Sequence, residues 1–328
     1  MNSFGRLFRV SIYGESHGGG VGVIVDGMPA GIKFDIDELR TDLSRRRAGG
    51  VGTTTRIEAD EPHILSGIFN DYTTGAPIHV MFENTNTKSK DYSNLVTQPR
   101  PGHADYVANL KYKGYQDYRG GGHFSGRITL GLVVAGYFAK LILSNQKVTS
   151  KVLSIGDYKG DNLDEYLAKI SSEGDSVGGV IELTVSNMEK CLGEPFFDSC
   201  ESVISHLLFS VPAVKGVEFG IGFDGATLKG SEFNDEIIDE SGKTRTNNNG
   251  GVNGGISNGN DLVVRVIVKP TPSIYKKQNT YSFSENKVTE LQIRGRHDAC
   301  IALRARVVLE AAVMIGLADL YLINKAYK

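Results

Sequence analysis

The stretch "YGESHGGGVGVIV" (residues 13–25) contains the pattern G-x-S-x-G, which serine hydrolases use as a nucleophile elbow. An elbow needs a strand before the serine and a helix after it. Residues 7–13 are patterned as a strand, but three glycines then lead into the apolar run 21–25. A helix that begins on three glycines would be unstable, so the stretch predicts a strand, a turn and a second strand. His17 therefore becomes a stronger candidate for function than a nucleophilic Ser16.

The same kind of pattern was followed along the rest of the chain. Alternating or β-branched runs predict strands at 6–13, 21–25, 56–68, 77–83, 149–155, 178–186, 214–222 and 261–268. Apolar spacing and capping residues predict helices from Asp35 to Arg47 and at 104–112, 125–144, 162–172, 198–209 and 300–322. The two kinds of element alternate irregularly, which favours an α+β fold with mostly antiparallel sheet. With no low-complexity linker or repeat, we expect one domain over residues 1–328, and the Gly/Asn-rich segment 246–260 to be either mobile or wrapped around a ligand.

Composition narrows the class of protein. The 328 residues are 40% hydrophobic and 23% charged, and a net charge of -2 gives no general attraction to nucleic acid or to a membrane. The N-terminus has no apolar signal segment, so we expect a cytoplasmic protein. The three cysteines, Cys191, Cys200 and Cys300, lack the spacing of zinc ligands and are odd in number. They are predicted to be small core residues.

Four of the seven histidines lie in glycine-containing segments. These are His17, His103, His123 and His297. A histidine in such a loop can titrate near neutral pH and reach a ligand, so four together predict an active site. The other three, His63, His79 and His206, lie in apolar strand or helix patterns and are predicted to have structural roles. No H-x-x-x-H or H-E-x-x-H spacing occurs, and no metal site is predicted.

Basic residues recur beside the same loops. They are Arg40, Arg45, Arg46, Arg47, Arg100, Arg119, Arg127, Lys269, Arg294 and Arg296. Guanidinium groups and the backbone amides of glycine loops suit phosphate and carboxylate groups, so the predicted ligand is strongly anionic. Taken by itself, the run Arg45-Arg46-Arg47 is better explained as a solvated helix C-terminus that balances the helix dipole. Neither a P-loop nor a G-x-G-x-x-G motif in strand-to-helix context is present, which argues against an ordinary NTPase or a Rossmann dehydrogenase.

Eight segments, taken in order, resemble the chorismate synthases. They are "GESHGGG", "SRRRAGG", "RPGHADY", "DYRGGGHFSGR", "VPAVKGVEFGIGF", "NNNGGVNGGISNGNDL", "VKPTPSI" and "GRHDAC", and the resemblance runs from residue 4 to about residue 320. It implies a β-α-β sandwich with helices between mostly antiparallel sheets, and a homotetramer. It also implies the last step of the shikimate pathway: 1,4-elimination of phosphate from 5-enolpyruvylshikimate 3-phosphate to give chorismate. Reduced FMN would be needed without net redox change, with NADPH as a candidate reductant.

The resemblance also implies roles for individual residues. His17 matches the histidine proposed to protonate the departing phosphate, and His103 matches one that manages the charge of the flavin. Ser16 and Ser125 match serines of a proton relay, and Asp298 matches the aspartate proposed to take the proton from flavin nitrogen 5. On this interpretation Ser16 is a hydrogen-bonding partner.

The implied ligand contacts are more numerous. Those for FMN are His123, Phe124, Ser125, Pro212, Ala213, Gly254, Lys269, Pro270, Thr271, Pro272, Ser273 and Arg296. Arg46 matches a residue assigned to NADPH or to the substrate phosphate, and Arg40 and Arg47 are candidate substrate arginines.

Three departures from the family pattern stand out. "HFSGR" replaces Arg-Ser-Ser-Ala-Arg, so that His123 and Phe124 must meet the flavin differently or through the backbone; Gly52 replaces a second arginine of the nicotinamide site; and "HDAC" replaces His-Asp-Pro-Cys. Two other functions remain open on the sequence: a serine hydrolase built on Ser16, and a flavin- or nucleotide-binding module without catalysis.

Overall fold

The computed structural model of the protein describes residues 1–54, 59–85, 95–293 and 297–327. Two antiparallel sheets organise the backbone. The first has the order β1-β2-β3-β7-β4 and comprises β1 (Ser3–Phe4), β2 (Arg9–Gly14), β3 (Gly20–Asp26), β7 (Ile78–Glu83) and β4 (His63–Ser66). The second has the order β10-β13-β9-β8 and comprises β10 (Val214–Phe219), β13 (Leu262–Val268), β9 (Gly179–Ser186) and β8 (Lys147–Ile155).

Short hairpins and seven helices complete the described structure. The hairpins pair β5 (Ile68–Phe69) with β6 (Tyr72–Thr73), β11 (Val252–Asn253) with β12 (Ile256–Ser257), and β14 (Gln278–Ser282) with β15 (Lys287–Leu291). The helices are α1 (Ile36–Arg46), α2 (Asp105–Lys111), α3 (Leu130–Ile142), α4 (Leu163–Ser172), α5 (Cys200–Ser210), α6 (Gly230–Phe233) and α7 (Ala302–Ala326).

The core lies between the two sheets. Helix α3 packs on β2 and β3 of the first sheet, and α7 packs on α3 and on β8 and β9 of the second. The two helices can approach closely because Gly136 has no side chain. A β-carbon at this position would lie only 2.3 Å from the Ala311 side chain. Both helices are long apolar runs, and burial of each large apolar side chain contributes about 1.5–3 kcal/mol. The predicted α+β sandwich, with helices between antiparallel sheets, is confirmed.

Helix α7 is long and apolar enough to cross a membrane, as is the segment 119–142. Most of each apolar window is buried inside the protein, 78% in the case of α7. Both therefore have the character of core helices, which are apolar on every side because neighbouring elements surround them.

Several strands and helices begin or end at residues other than the predicted ones, for local structural reasons. The first predicted strand begins at Arg9 instead of residue 6, because the N–H groups of residues 6–8 donate to the Asp319 carboxylate in α7. The predicted helix 125–144 begins only at Leu130, after a 3-10 turn over Gly126–Thr129. Of the predicted strand 56–68, residues 56–58 lie outside the described residues, residues 59–62 and Gly67 are not in a strand, and the rest forms β4 and the first residue of β5.

Two expectations were incomplete, and one hairpin was missed. Cys200 and Cys300 are buried, but Cys191 is exposed, so only two cysteines are core residues. The segment 246–260 contains the β11–β12 hairpin and is fixed by the Asp235 carboxylate, which accepts hydrogen bonds from the backbone of Asn248 and Asn249. The β14–β15 hairpin was not predicted, since its strands are rich in Asn, Gln, Lys and Thr.

Candidate active site

Ser16 and His17 occupy the corner of a tight turn between β2 and β3. The Gly18 N–H donates to the Glu15 carbonyl at 3.0 Å, which closes a four-residue turn with Ser16 and His17 at its two central positions. Glycine is required at the end of β2 because Gly14 has φ +95 and a β-carbon there would stand 2.3 Å from the Gly20 carbonyl oxygen. Since the chain then enters β3, the helix that a nucleophile elbow needs is not present after Ser16.

A run of three glycines packs against this turn. Gly120, Gly121 and Gly122 all have positive φ, a conformation that favours glycine. The Ser16 N–H donates to the Gly122 carbonyl at 3.1 Å. A β-carbon on Gly120 would lie 2.5 Å from the His17 ring and 3.0 Å from Ser16 Oγ, so both side chains face this backbone directly. Ser16 and His17 are buried.

His123, the next residue, ties the same two segments together. Its Nδ1 lies 2.7 Å from the Gly14 carbonyl oxygen, and its Nε2 lies 3.2 Å from Asn2 Oδ1. Because a carbonyl oxygen can only accept, Nδ1 carries the hydrogen. The ring therefore holds the glycine run against the end of β2.

His103 lies on the other side of the glycine run. A β-carbon on Gly121 would be 3.5 Å from Cε1 and Nε2 of the His103 ring. The opposite nitrogen, Nδ1, is 2.6 Å from Asp105 Oδ1 and donates to it, since a carboxylate can only accept. Arg100 binds the same carboxylate through Nε at 2.7 Å and NH2 at 2.8 Å. Nε2 of His103 is thus the nitrogen that faces the glycine run.

Burial and charge set the ionisation of this group. Burial lowers the pKa of His103; the hydrogen bond to Asp105 opposes this, and the positive charges of Arg100 and Lys269 add to the lowering. Burial alone would raise the pKa of Asp105, but hydrogen bonds from Arg100 and His103 outweigh it and hold that pKa well below its usual range. A neutral imidazole beside an ionised carboxylate results at neutral pH.

The loop 269–273 lies beside His103. Lys269 donates its backbone N–H to Ala213 at 2.9 Å and its Nζ to the Gly102 carbonyl at 2.6 Å. Ser273 Oγ accepts from Arg100 at 3.0 Å. The buried hydroxyl of Thr271 has no hydrogen-bond partner within the described part of the chain. The predicted cofactor residues on this loop, with Ala213, are therefore brought to His103.

A small pocket opens between these elements. It is lined by His103, Gly121 and Phe124, together with Gln116 and Tyr118. Ser125 follows Phe124, and its Oγ accepts a hydrogen bond from the Arg127 N–H at 3.3 Å.

Asp298 lies in the loop just before α7. Both of its carboxylate oxygens contact NH1 of Arg304, at 2.8 and 2.9 Å, and Oδ1 accepts the Thr54 N–H at 3.0 Å. Arg304 also donates through Nε to the Arg46 carbonyl at 2.8 Å. The carbonyl of Gly52 accepts from the N–H groups that follow Asp298, at Ala299 and Cys300. Gly52, which the sequence marks as a departure from the family, thus helps to hold the Asp298 segment.

Asp60 joins two buried arginines. Its Oδ2 accepts from Arg46 at 2.8 Å and its Oδ1 accepts from Arg127 at 2.8 Å. Burial lowers the pKa of Arg46 to about 10, with Asp60 opposing the change. Burial would raise the pKa of Asp60, but Arg46 and Arg127 outweigh it and lower that pKa. Asp60 was missed in the sequence because "EADEP" carries no motif or spacing.

Asn84 connects these charges to the His17 turn. Arg127 donates through Nε to Asn84 Oδ1 and through NH2 to the Glu83 carbonyl. Asn84 Nδ2 then donates to the Glu15 carbonyl at 2.8 Å and to the Gly18 carbonyl at 2.9 Å. A continuous series of contacts therefore leads from Asp298 through the arginines to the turn that carries His17.

This network carries excess positive charge. Arg46, Arg127 and Arg304 face two carboxylates, Asp60 and Asp298, so one guanidinium charge is not neutralised within it. The Nε of Arg46 is buried without a hydrogen-bond partner among the residues that the structure describes. An anion is the ligand that such a group favours.

Other predicted residues lie elsewhere. Arg40 is on the surface and pairs with Asp37 and Glu61. Arg47, at the end of α1, donates to the Ala59 carbonyl. Gly254 is at the tip of the β11–β12 hairpin, whose hydrogen bonds run to residues 191–200.

Five further predicted positions lie on loops or outside the described residues. Pro212 precedes β10, and Pro270 and Pro272 belong to the loop beside His103. Arg296 lies outside the described residues. His297 packs its ring on Tyr275. A larger cavity, between β1, α5 and α7, contains none of the predicted site residues.

Comparisons with known proteins agree with the geometry. A family model described as chorismate synthase matches residues 8–322. A chorismate synthase of Chitinophaga pinensis is 55% identical over 329 residues, covering 99% of this chain and 98% of its own, and one of Pyrococcus abyssi is 44% identical over 350 residues, covering 99% and 98%. A crystal structure of chorismate synthase aligns with a TM-score of 0.74 at 26% identity, over 98% of this chain and 93% of that one. The chain therefore belongs to the chorismate synthase family of lyases.

Proposed function

We propose that the protein converts 5-enolpyruvylshikimate 3-phosphate to chorismate and inorganic phosphate, the last step of the shikimate pathway, with reduced FMN and without net redox change. The observation that carries the proposal is the position of two imidazoles, the buried His17 and the partly buried His103, against the adjacent residues Gly120 and Gly121. Family membership supplies the class of reaction, and this geometry supplies groups suited to it.

The substrate class fits the charge of the site. The substrate carries one phosphate and two carboxylates, and in the described part of the chain the arginines Arg46, Arg127 and Arg304 outnumber their two carboxylate partners by one. Guanidinium groups bind such anions through paired N–H donors. Arg46 is therefore the arginine that we propose for the substrate phosphate. Arg40 and Arg47 stay weaker candidates, since both already have partners on the surface.

The residues beside His103 fit a flavin phosphate and ring. Lys269 and Ser273 offer a charge and a hydroxyl, and the buried Thr271 hydroxyl lacks a partner in the described chain. Phe124 and His103 line an adjoining pocket. When bound, reduced FMN supplies electron density to the substrate and accepts the hydrogen at nitrogen 5. We propose that Ala213 and the loop 269–273 hold this cofactor, with His123 contributing through the backbone because its ring already binds Gly14 and Asn2.

Four side chains of the site have separate proposed roles in proton transfer. His17, buried at the turn, would hold a proton for the departing phosphate oxygen, and Ser16 beside it would orient that proton. His103 would stay neutral at neutral pH and present Nε2 toward the reacting groups. Asp298 pairs with Arg304, and its carboxylate is the group that we propose to accept a proton. Burial of Ser16, His17 and Asp298 would keep water away from these groups during the reaction.

Several finer properties are part of the same proposal. We infer a homotetramer acting in the cytoplasm, with NADPH as one candidate source of electrons. One cluster of buried side chains touches both sheets, which supports a single domain over residues 1–328. The Ser125 hydroxyl, which caps the turn before α3, is proposed to join the proton relay.

The direct experiment measures phosphate release from 5-enolpyruvylshikimate 3-phosphate with dithionite-reduced FMN in the absence of oxygen. We expect release of one phosphate for each chorismate formed, and no release when FMN stays oxidised. FMN binding without turnover would instead favour a non-catalytic flavin module. Labelling of Ser16 by an esterase probe would favour a hydrolase.

A further inference from the structure

We propose that Asn84 is a positioning residue for His17: its side-chain amide fixes the Glu15–Gly18 turn and so sets where the imidazole stands. The inference rests on the proposed function in one respect, since it takes His17 as the proton donor. Asn84 itself touches neither substrate nor cofactor in this scheme.

The contacts of Asn84 span the turn on both sides of His17. Its Nδ2 donates one hydrogen to the carbonyl of Glu15, before Ser16, and the other to the carbonyl of Gly18, after His17, at 2.8 and 2.9 Å. These are the first and last residues of the turn that carries the two candidate groups. A hinge movement of the turn would break at least one of the bonds.

The register of the first sheet places Asn84 beside the turn. In the register of β3 with β7, Gly20 pairs with Glu83, so the residue after Glu83 must lie beside the residues before Gly20. The Asn84 N–H donates to the Gly19 carbonyl at 3.3 Å and continues the ladder by one bond. Strand pairing thus aligns the backbone, and the side chain reaches across the turn.

The orientation of the amide follows from its charged neighbour. Arg127 donates through Nε to Asn84 Oδ1, and a guanidinium has no acceptor, so this atom must be the oxygen. The nitrogen then faces the two carbonyls, as the turn requires. Because Arg127 is itself held by Asp60 at 2.8 Å, the orientation of Asn84 is coupled to the arginine cluster proposed to bind the substrate anion.

Only an amide meets both demands. An aspartate at position 84 would satisfy Arg127, but its second oxygen would face the Glu15 and Gly18 carbonyls, which are acceptors as well. An alanine would remove all three side-chain bonds. The two substitutions therefore differ in charge but share the loss of the bonds to the turn.

Several charged side chains surround His17 and its turn. They are Glu15 in the same turn, Asp117 and Arg119 before the glycine run, and Arg127 beyond Asn84. A carboxylate added at position 84 would add one negative charge to this group of side chains. The neutral Asn84→Ala change adds no such charge.

The experiment compares Asn84→Asp and Asn84→Ala with wild type and with Asn187→Asp. Asn187 donates its amide to the Asn145 carbonyl at 3.1 Å, at the turn before β8, so its change has the same chemistry away from the site. We expect both Asn84 variants to lower kcat by about 10- to 100-fold, the effect of a small misplacement of a catalytic group, with KM within about twofold of wild type in the uncharged Asn84→Ala.

A second readout does not depend on turnover. Hydrogen exchange followed by mass spectrometry should show faster exchange in peptides covering residues 14–20 in both Asn84 variants, and unchanged exchange there in Asn187→Asp. If wild type releases no phosphate, the proposed function fails, while the exchange data still decide whether Asn84 holds the turn. Wild-type kcat in both Asn84 variants, or unchanged exchange over residues 14–20, would overturn the inference.

Discussion

Gly120 lies directly against the His17 imidazole: a β-carbon added to Gly120 would stand 2.5 Å from both Cδ2 and Nε2 of the ring. Gly120 also has φ +60, so an alanine there meets two separate penalties. One is the backbone conformation, which costs a residue with a side chain about 1–2 kcal/mol. The other is displacement of the histidine.

Gly120→Ala is therefore predicted to lower phosphate release by at least about tenfold, because a displaced imidazole no longer meets the leaving group. The matched control is Gly114→Ala. Gly114 has φ +81 but open space where the β-carbon would go, so it carries the backbone penalty alone. Equal turnover in the two variants, measured alongside their thermal midpoints, would contradict this account.

Asp60→Asn is predicted to lower the free energy of unfolding by about 3–5 kcal/mol, the usual effect of removing one partner from a buried ion pair. The carboxylate is 2% exposed and holds two arginines. Asn is a fair replacement because Asp60 has φ +47, a conformation that Asn also adopts. Urea unfolding at pH 7 measures the change.

The same carboxylate gives a pH dependence. Its pKa in the folded protein lies below the ordinary value of 3.8, so its stabilisation is present above that value and is lost as pH falls through the folded pKa. Asp60→Asn should remove this part of the acid sensitivity. Glu236→Gln, which breaks the exposed pair with Arg245, should change unfolding little; a comparable loss there would argue against burial as the cause.

His17→Ala and His103→Ala are each predicted to lower turnover by about 10²-fold or more, the scale of general acid–base effects. Anaerobic phosphate release with reduced FMN is the measurement. His63→Ala is the control, since His63 is exposed on β4, at the edge of the first sheet. Near wild-type turnover in either site variant would refute the role assigned to that histidine.

Asp105→Asn is predicted to move the acid limb of kcat/KM to lower pH. Burial already lowers the pKa of His103 from the ordinary value of 6.5, and the Asp105 carboxylate limits that decrease. Removing the carboxylate leaves Arg100 without its counter-ion, so the pKa of His103 should fall further and the neutral imidazole should persist to lower pH. A limb that moves to higher pH would show that His103 does not control it.

Local pattern was enough for much of the fold. The β2–β3 hairpin, α3 and α7 follow from apolar spacing and glycine placement over a few residues, and the structure has them within a few residues of the predicted bounds. The motifs also named the histidines that meet at the glycine run. The β14–β15 hairpin was missed because its polar strands lack that spacing, and it pairs regardless because a partner strand is adjacent.

The sequence by itself determined the family, the class of fold and the side chains that carry imidazole and guanidinium groups. Only the tertiary structure decided how those groups are used: Asp60 and Asn84 join Arg46 and Arg127 to the His17 turn, whereas Arg40 is neutralised on the surface. The physical reason is the separation along the sequence over which each kind of interaction acts. Secondary structure depends on neighbours a few residues apart, but ion pairing and burial depend on which distant segments the sheets bring together.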